Sequence, residues 1–141
     1  MNFLWVGHDR WEDLAIRLAL GSIFIAHGAQ KLFGWWGGYG LEATGQWMTT
    51  IGLVPGFLMA LAAGGIEFFG GIAIVIGLCT RPVAILASIL MVVALFSVHF
   101  TNGFFMNDNG YEFALSLLAI SLSLGFSGSG RFSADALIRA R

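Results

Sequence analysis

The sequence is short of charge. Only 11% of its 141 residues are Asp, Glu, Lys or Arg, where a soluble domain carries about a quarter. It is 57% hydrophobic, and a water-soluble chain of this length cannot hide that much apolar surface in one core. A bilayer removes the difficulty, because lipid replaces water around outward-facing side chains; the mean hydropathy of +0.82 agrees. Cysteine is nearly absent too. Cys79 stands alone, which excludes an intrachain disulfide and a C-x-x-C redox pair. It reads as a small apolar filler at a helix end. A net charge of −1 gives no sign of nucleic acid or of an acidic partner. No internal repeat and no low-complexity tract is present. The N-terminal stretch also lacks the purely basic character of a signal peptide, since Asp9 and Glu12 flank Arg10. The apolar run behind it is too long for one and contains His27 and Lys31, so it reads as a retained transmembrane helix.

What is present is a set of four apolar segments: about Leu14 to Phe33, Phe57 to Leu78, Val83 to Phe100 and Tyr111 to Phe126. Crossing roughly 30 Å of hydrocarbon at about 1.5 Å per residue takes about 20 residues, so three fit and the fourth is short. Backbone polar groups cannot stay open in lipid, which makes the segments helices; the alternating pattern of a membrane barrel is missing. Pro55-Gly56, Arg81-Pro82 and Asn107-Asp108-Asn109-Gly110 mark the breaks. A further short stretch after Gly128-Ser129-Gly130 has Ser133 as its cap. The expected fold is all-α: a single transmembrane four-helix bundle spanning residues 1–141. Arg10, Arg17, Arg81, Arg131, Arg139 and Arg141 fall on one side, while residues 34–56 and 101–110 hold no Lys or Arg. Basic residues gather on the cytoplasmic side, so both termini are expected there.

Five titratable residues from four helices fall in the outer half of this bundle. His27 and Lys31 share a face of helix one, Glu67 lies roughly 15 Å into helix two, His99 closes helix three and Glu112 opens helix four. Inward faces hold them: Ala60, Ala63, Gly64, Gly70 and Gly71 near Glu67, the stripe Ser116, Ala119, Ser123 beyond Glu112, and on helix one the stripe Arg17, Gly21, Phe24, Gly28 and Lys31 with His27 beside it. Such faces pack helix against helix. A charge facing lipid costs a few kcal/mol even on mild scales, so all five are expected to face inward. The plain alternative is structural: Lys31 and His99 snorkel to the interface, His27 is a satisfied histidine and Glu67 forms a salt bridge.

The outer loops are aromatic. Trp35, Trp36, Tyr39 and Trp47 lie in one, Phe104, Phe105 and Met106 in the other. These read as an interfacial belt or as an apolar lid made of Trp35, Trp36, Trp47, Phe104 and Phe105. In the second case Leu41 to Ile51 forms a short amphipathic helix over the cluster.

At these positions the sequence resembles the DoxX family of small four-helix membrane proteins. The resemblance rests on Arg17-Leu18-Ala19-Leu20-Gly21 and on the run from His27 to Gly34, His-Gly-Ala-Gln-Lys-Leu-Phe-Gly. It continues with Glu67, Gly70-Gly71, Gly77-Leu78-Cys79-Thr80-Arg81, His99, Asn109-Gly110-Tyr111-Glu112 and Gly128 to Asp135. Ser129 departs from the proline expected in that glycine pair. The resemblance implies a four-helix fold in a bacterial or archaeal cytoplasmic membrane. It implies function more loosely, through an association of members with quinone-linked oxidation of sulfur compounds and with membrane oxidoreductase complexes.

Three functions follow as expectations. The first is a redox-associated subunit whose outer cluster binds a quinone-like headgroup. Lys31 and His27 donate to carbonyl oxygens, and Glu67, His99 and Glu112 relay protons. The chain holds no electron donor, so a protein partner or a soluble reductant must supply electrons. The second is a non-enzymatic accessory or assembly subunit, and the third a small proton or acid transporter. His27 and His99 as axial haem ligands are disfavoured by their place at the bundle edge, and no metal-ligand spacing is visible. Whether the chain forms a homo-oligomer stays open.

Overall fold

The structure, a computed structural model, describes residues 10–140; Arg141, one of the basic residues used above, lies outside them. Among the described residues there are six α-helices and no strand. They are α1 (Glu12–Phe33), α2 (Gly40–Thr50), α3 (Gly56–Ile76), α4 (Thr80–Ala94), α5 (Glu112–Ser127) and α6 (Ala134–Arg139). The four long segments read from the sequence correspond to α1, α3, α4 and α5. The expectation of a plain four-helix protein needs correction, because α2 and α6 are elements of their own. The apolar pattern cannot count them, since each is too short to cross a bilayer.

Two helical runs are long and apolar enough to cross a membrane: α3, and the 23 residues from Thr80 to Asn102. The second begins as α4, widens into a π-turn at Leu95–His99 and tightens into a 3-10 turn at Phe100–Asn102. At 22 residues α1 is long enough, but Glu12, Asp13, Arg17 and Lys31 interrupt its apolar character. α5 has 16 residues.

Local chemistry explains the boundaries. α1 stops at Gly34 and α3 at Gly77, both left-handed (φ 70° and 71°) where an L side chain would be strained. α4 starts at Thr80, three residues before the position read from Pro82. Pro82 is tolerated there because the first turn needs no N–H donors. The exposed amides of that turn are satisfied from elsewhere: the Asp135 carboxylate accepts from the N–H groups of Cys79 (2.8 Å) and Thr80 (3.1 Å). Ser133 caps α6, its hydroxyl accepting from Ala136 N–H at 3.1 Å, as its position in the sequence suggests.

α1 and α3 make the most extensive contact, α5 packs on α4, and α1 meets α5 only lightly. The core joins Leu20, Phe24, Ile74, Ala84, Ala87, Met91, Leu117 and Leu124 from all four long helices. α2 lies against the first turns of α3, with Met48 packed on Ala60 and Ala63. A Cβ on Gly45 would come within 2.8 Å of Phe57 Cα, so only glycine lets the two backbones lie this close.

The bundle has two ends. At the tail end, where α1 begins and α5 finishes, the 128–139 segment folds back onto the helices. Arg131 N–H donates to Arg10 C=O (3.2 Å) and Asp135 N–H to Gly77 C=O (2.9 Å). At the loop end lie residues 34–56 and 100–111.

Candidate site between the first and third helices

Glycine spacing brings the site together. Gly21 and Gly28 on α1, seven apart, face Gly71 and Gly64 on α3, also seven apart. Seven residues return a helix to nearly the same face, so each pair forms a backbone-to-backbone contact. A Cβ on Gly21 would lie 2.7 Å from Gly71 C=O, and one on Gly28 would lie 2.8 Å from Gly64 C=O. Lys31 follows Gly28 by three residues and Glu67 follows Gly64 by three. A Cβ on Gly64 would lie 3.3 Å from Lys31 Cβ, one turn from Glu67. Side chains lean toward the N-terminus of their own helix, so across this antiparallel pair the two lean toward each other and meet.

They form an ion pair. Lys31 Nζ donates to Glu67 Oε2 at 2.7 Å, with 24% of the Lys31 side chain and 6% of the Glu67 side chain exposed. Glu67 lies about 16 Å along α3 from Gly56. A carboxylate at that depth in apolar surroundings requires a partner, and Lys31 is that partner. Phe68, beside Glu67, packs edge-on against Phe33 (5.2 Å between centroids) and Trp35 (6.4 Å), closing one flank.

His27 lies one turn from Lys31 on the flank of α1 that faces α5, with its ring 6.1 Å from that of Phe113. It is exposed, not buried, which places it at the loosely packed seam between α1 and α5. Lys31 Nζ retains donor capacity beyond the Glu67 bond, and the imidazole both donates and accepts. His27 and Lys31 thus lie within one turn of α1, and the Glu67 carboxylate reaches Lys31 from α3.

His99 and Glu112 are engaged differently. The Asn109 carbonyl can only accept, so His99 donates to it through Nδ1 at 2.9 Å. Glu112 Oε1 accepts from the backbone N–H of Met106 at 2.7 Å. Both tie the 100–111 loop to the ends of its helices. The stripe beyond Glu112 requires correction: Ser116, Ala119 and Ser123 are exposed and point away from the bundle. The buried face of α5 is instead Ala114, Leu117, Ser121, Leu124 and Gly125. Small side chains occur on both faces of this helix, so size alone does not reveal which face is inside.

Of the lid residues, Trp35, Trp36, Trp47, Phe104 and Phe105 are all exposed, Trp36 at 69%. The helix expected over Leu41 to Ile51 exists as α2, but it packs on the first turns of α3.

A second polar centre lies at the tail end. Arg17, at the start of the inward stripe of helix one, is fully buried. Its guanidinium donates to Val75 C=O at 3.2 Å and to Phe132 C=O. Asp13 and Asp135, each 2% exposed, supply the opposing charge. The available signal was Asp13 four residues before Arg17, a spacing that places both on one helix face. No group of His, Cys, Asp and Glu suited to a metal ion occurs among the described residues.

Two apolar runs long enough to cross a bilayer, with an ion pair enclosed between packed helices, fit a membrane protein with a polar centre in its interior. The chain belongs to the DoxX family: the family model matches residues 13–100. A Bacillus subtilis (strain 168) protein named "Putative oxidoreductase CatD" is 34% identical over 89% of this chain and 85% of its own length. Inner membrane protein YqjF of Escherichia coli (strain K12) is 32% identical over 92% of this chain and 96% of its own. An uncharacterized Haemophilus influenzae protein is 35% identical over 85% of each. No solved structure matches.

Proposed function

We propose that this protein is a redox-associated membrane subunit that binds a quinone-like headgroup at the α1–α5 seam. The observation that carries the reading is the Lys31–Glu67 pair, enclosed between helices and flanked by an exposed His27. Lys31 and His27 would donate hydrogen bonds to the carbonyl oxygens of the headgroup, and Glu67 would exchange the proton that accompanies reduction. His99 and Glu112, on the loop side, are the positions through which protons would reach the aqueous phase. The oxidoreductase name of the Bacillus relative supports the redox part. Electrons would come from a protein partner or a soluble reductant. The arginine-bearing tail end would face the cytoplasm, with four helices crossing the bilayer.

The test is titration of the purified protein with a short-chain quinone, followed by tryptophan fluorescence. Saturable binding in the wild type, weakened about tenfold or more in His27→Ala and Glu67→Gln, is the expected result; one lost charge-assisted hydrogen bond of about 1.5 to 3 kcal/mol sets the scale. Equal binding in all three proteins contradicts it. A specific observation favours a second reading, an accessory subunit with a structural polar network: Lys31 and Glu67 already satisfy each other. On that reading Glu67→Ala disrupts folding and co-purification with a complex, and no quinone binds.

A further inference from the structure

The tail end carries a pocket that the redox reading does not use. It has a volume of about 440 Å³ and is lined by Ile76, Arg131, Phe132, Ser133, Ala134 and Leu137. Ile76 is the last residue of α3, so the pocket begins where that apolar span ends. Around it Phe132 (58% exposed), Leu137 (72%) and Ile138 (50%) form an apolar patch on the folded-back segment. A helix with apolar side chains on one face and arginines beside them sits at the headgroup boundary of a bilayer.

Charge selects the occupant. The exposed charged residues described at this end are Arg10, Arg131 and Arg139 against Glu12 alone. The pocket's own acidic neighbour, Asp135, is buried and its two oxygens are bonded to Cys79 and Thr80 N–H. Ser133 is likewise engaged: its hydroxyl accepts from Ala136 N–H and donates toward Gly130 C=O. The charged donor facing the pocket is Arg131, whose guanidinium stands 5.8 Å from the Phe132 ring. A guanidinium beside an apolar hollow at the membrane boundary suits a phosphate that carries an acyl chain.

We propose that this pocket binds an anionic phospholipid. Arg131 pairs with the phosphate, and Ile76, Phe132 and Leu137 cover the upper part of an acyl chain. The site is independent of the quinone reading.

The test is native mass spectrometry of the full chain in detergent, with phosphatidylglycerol and phosphatidylcholine supplied in equal amounts. The wild type retains phosphatidylglycerol preferentially. Arg131→Gln lowers that preference about fivefold, the scale of one arginine near an anionic headgroup, and Leu137→Ser weakens retention of both lipids. The Arg131 backbone N–H, not its side chain, anchors the segment to Arg10, so the fold survives and circular dichroism stays unchanged. Equal retention of the two lipids by the wild type overturns the proposal. So does an equal loss in Arg139→Gln, which reduces the effect to general surface attraction, or displacement of the lipid by inorganic phosphate, which assigns a free-anion site.

Discussion

Lys31 Nζ lies 2.7 Å from Glu67 Oε2, although Lys31 stands two residues from the end of α1 and Glu67 in the middle of α3. The offset has a cause. α1 ends well short of the first turns of α3, and α2 covers those turns in its place through Met48 and Gly45. Lys31 Cβ thereby stands beside Gly64, one turn from Glu67, and its side chain leans back along α1 to reach the acid. Snorkelling toward water, the usual fate of a terminal lysine, gives way to an ion pair.

Breaking one side of this pair costs more than removing both. Glu67→Ala leaves the Lys31 ammonium enclosed without its counter-charge, a loss of about 3 kcal/mol or more. Replacing both, as Lys31→Met with Glu67→Leu, should recover most of it, because an apolar pair needs no compensation in lipid. Thermal unfolding in detergent of the two single variants and the double variant gives the coupling. Additive losses would show that the pair does not act as one unit.

The glycine contacts set the geometry on which the pair depends. Gly28→Val places a side chain against the backbone of Phe68 and Gly64. Neither can yield without separating α1 from α3. The expected outcome is a destabilisation of several kcal/mol, at the upper end of overpacking costs of about 1 to 3 kcal/mol, visible as loss of monodisperse protein on size exclusion. Gly65→Ala, a position with nothing within 4 Å of the added Cβ, should behave as wild type.

Asp135 holds the start of α4 from a distance of more than fifty residues in sequence. Asp135→Ala removes a cap worth about 0.5 to 2 kcal/mol and takes a counter-charge from the buried Arg17 as well. Hydrogen exchange should rise selectively at the amides of Cys79 and Thr80, leaving α3 protected. Unchanged exchange there would show that the carboxylate is dispensable.

The exposed Trp35, Trp36 and Trp47 should sit at the headgroup level. Spin-labelled lipids carrying the label near the headgroup should quench their fluorescence more than lipids labelled at the chain end. Replacing the other two of the five tryptophans, Trp5 and Trp11, with Phe isolates the signal. Stronger quenching from the chain end would place these rings inside the hydrocarbon.

Much of this architecture is legible in the sequence for simple reasons. Long apolar runs declare α3 and α4 by length alone, and the glycines and prolines around them mark their ends. The short helix at α2 shows in its amphipathic pattern, and Ser133 shows as a cap from local order. The need of Glu67 for a partner follows from the cost of leaving a carboxylate in lipid, whereas the choice of Lys31 follows only from the packing of α1 on α3. What stays hidden depends on three dimensions. The face of α5 is one such case, because in lipid the outward residues need not be polar, so Ser116 and Ala119 give no contrast with Ala114 and Ser121. The cap supplied by Asp135 is another, since nothing near Thr80 in the chain announces it. The inward place of Arg17 shows in the stripe of helix one, but its acceptors, Val75 C=O and Phe132 C=O, come from segments far along the chain.

The central claim is that a headgroup occupies the seam beside Lys31, Glu67 and His27. Photolabelling of the purified protein with a diazirine-bearing quinone, followed by peptide mapping, tests it most directly. Crosslinks concentrated on residues 24–33 and 64–68, and near Phe113, displaced by excess unlabelled quinone, are the predicted result. Crosslinks scattered over outward residues such as Leu122 and Phe126, and insensitive to competitor, would contradict it.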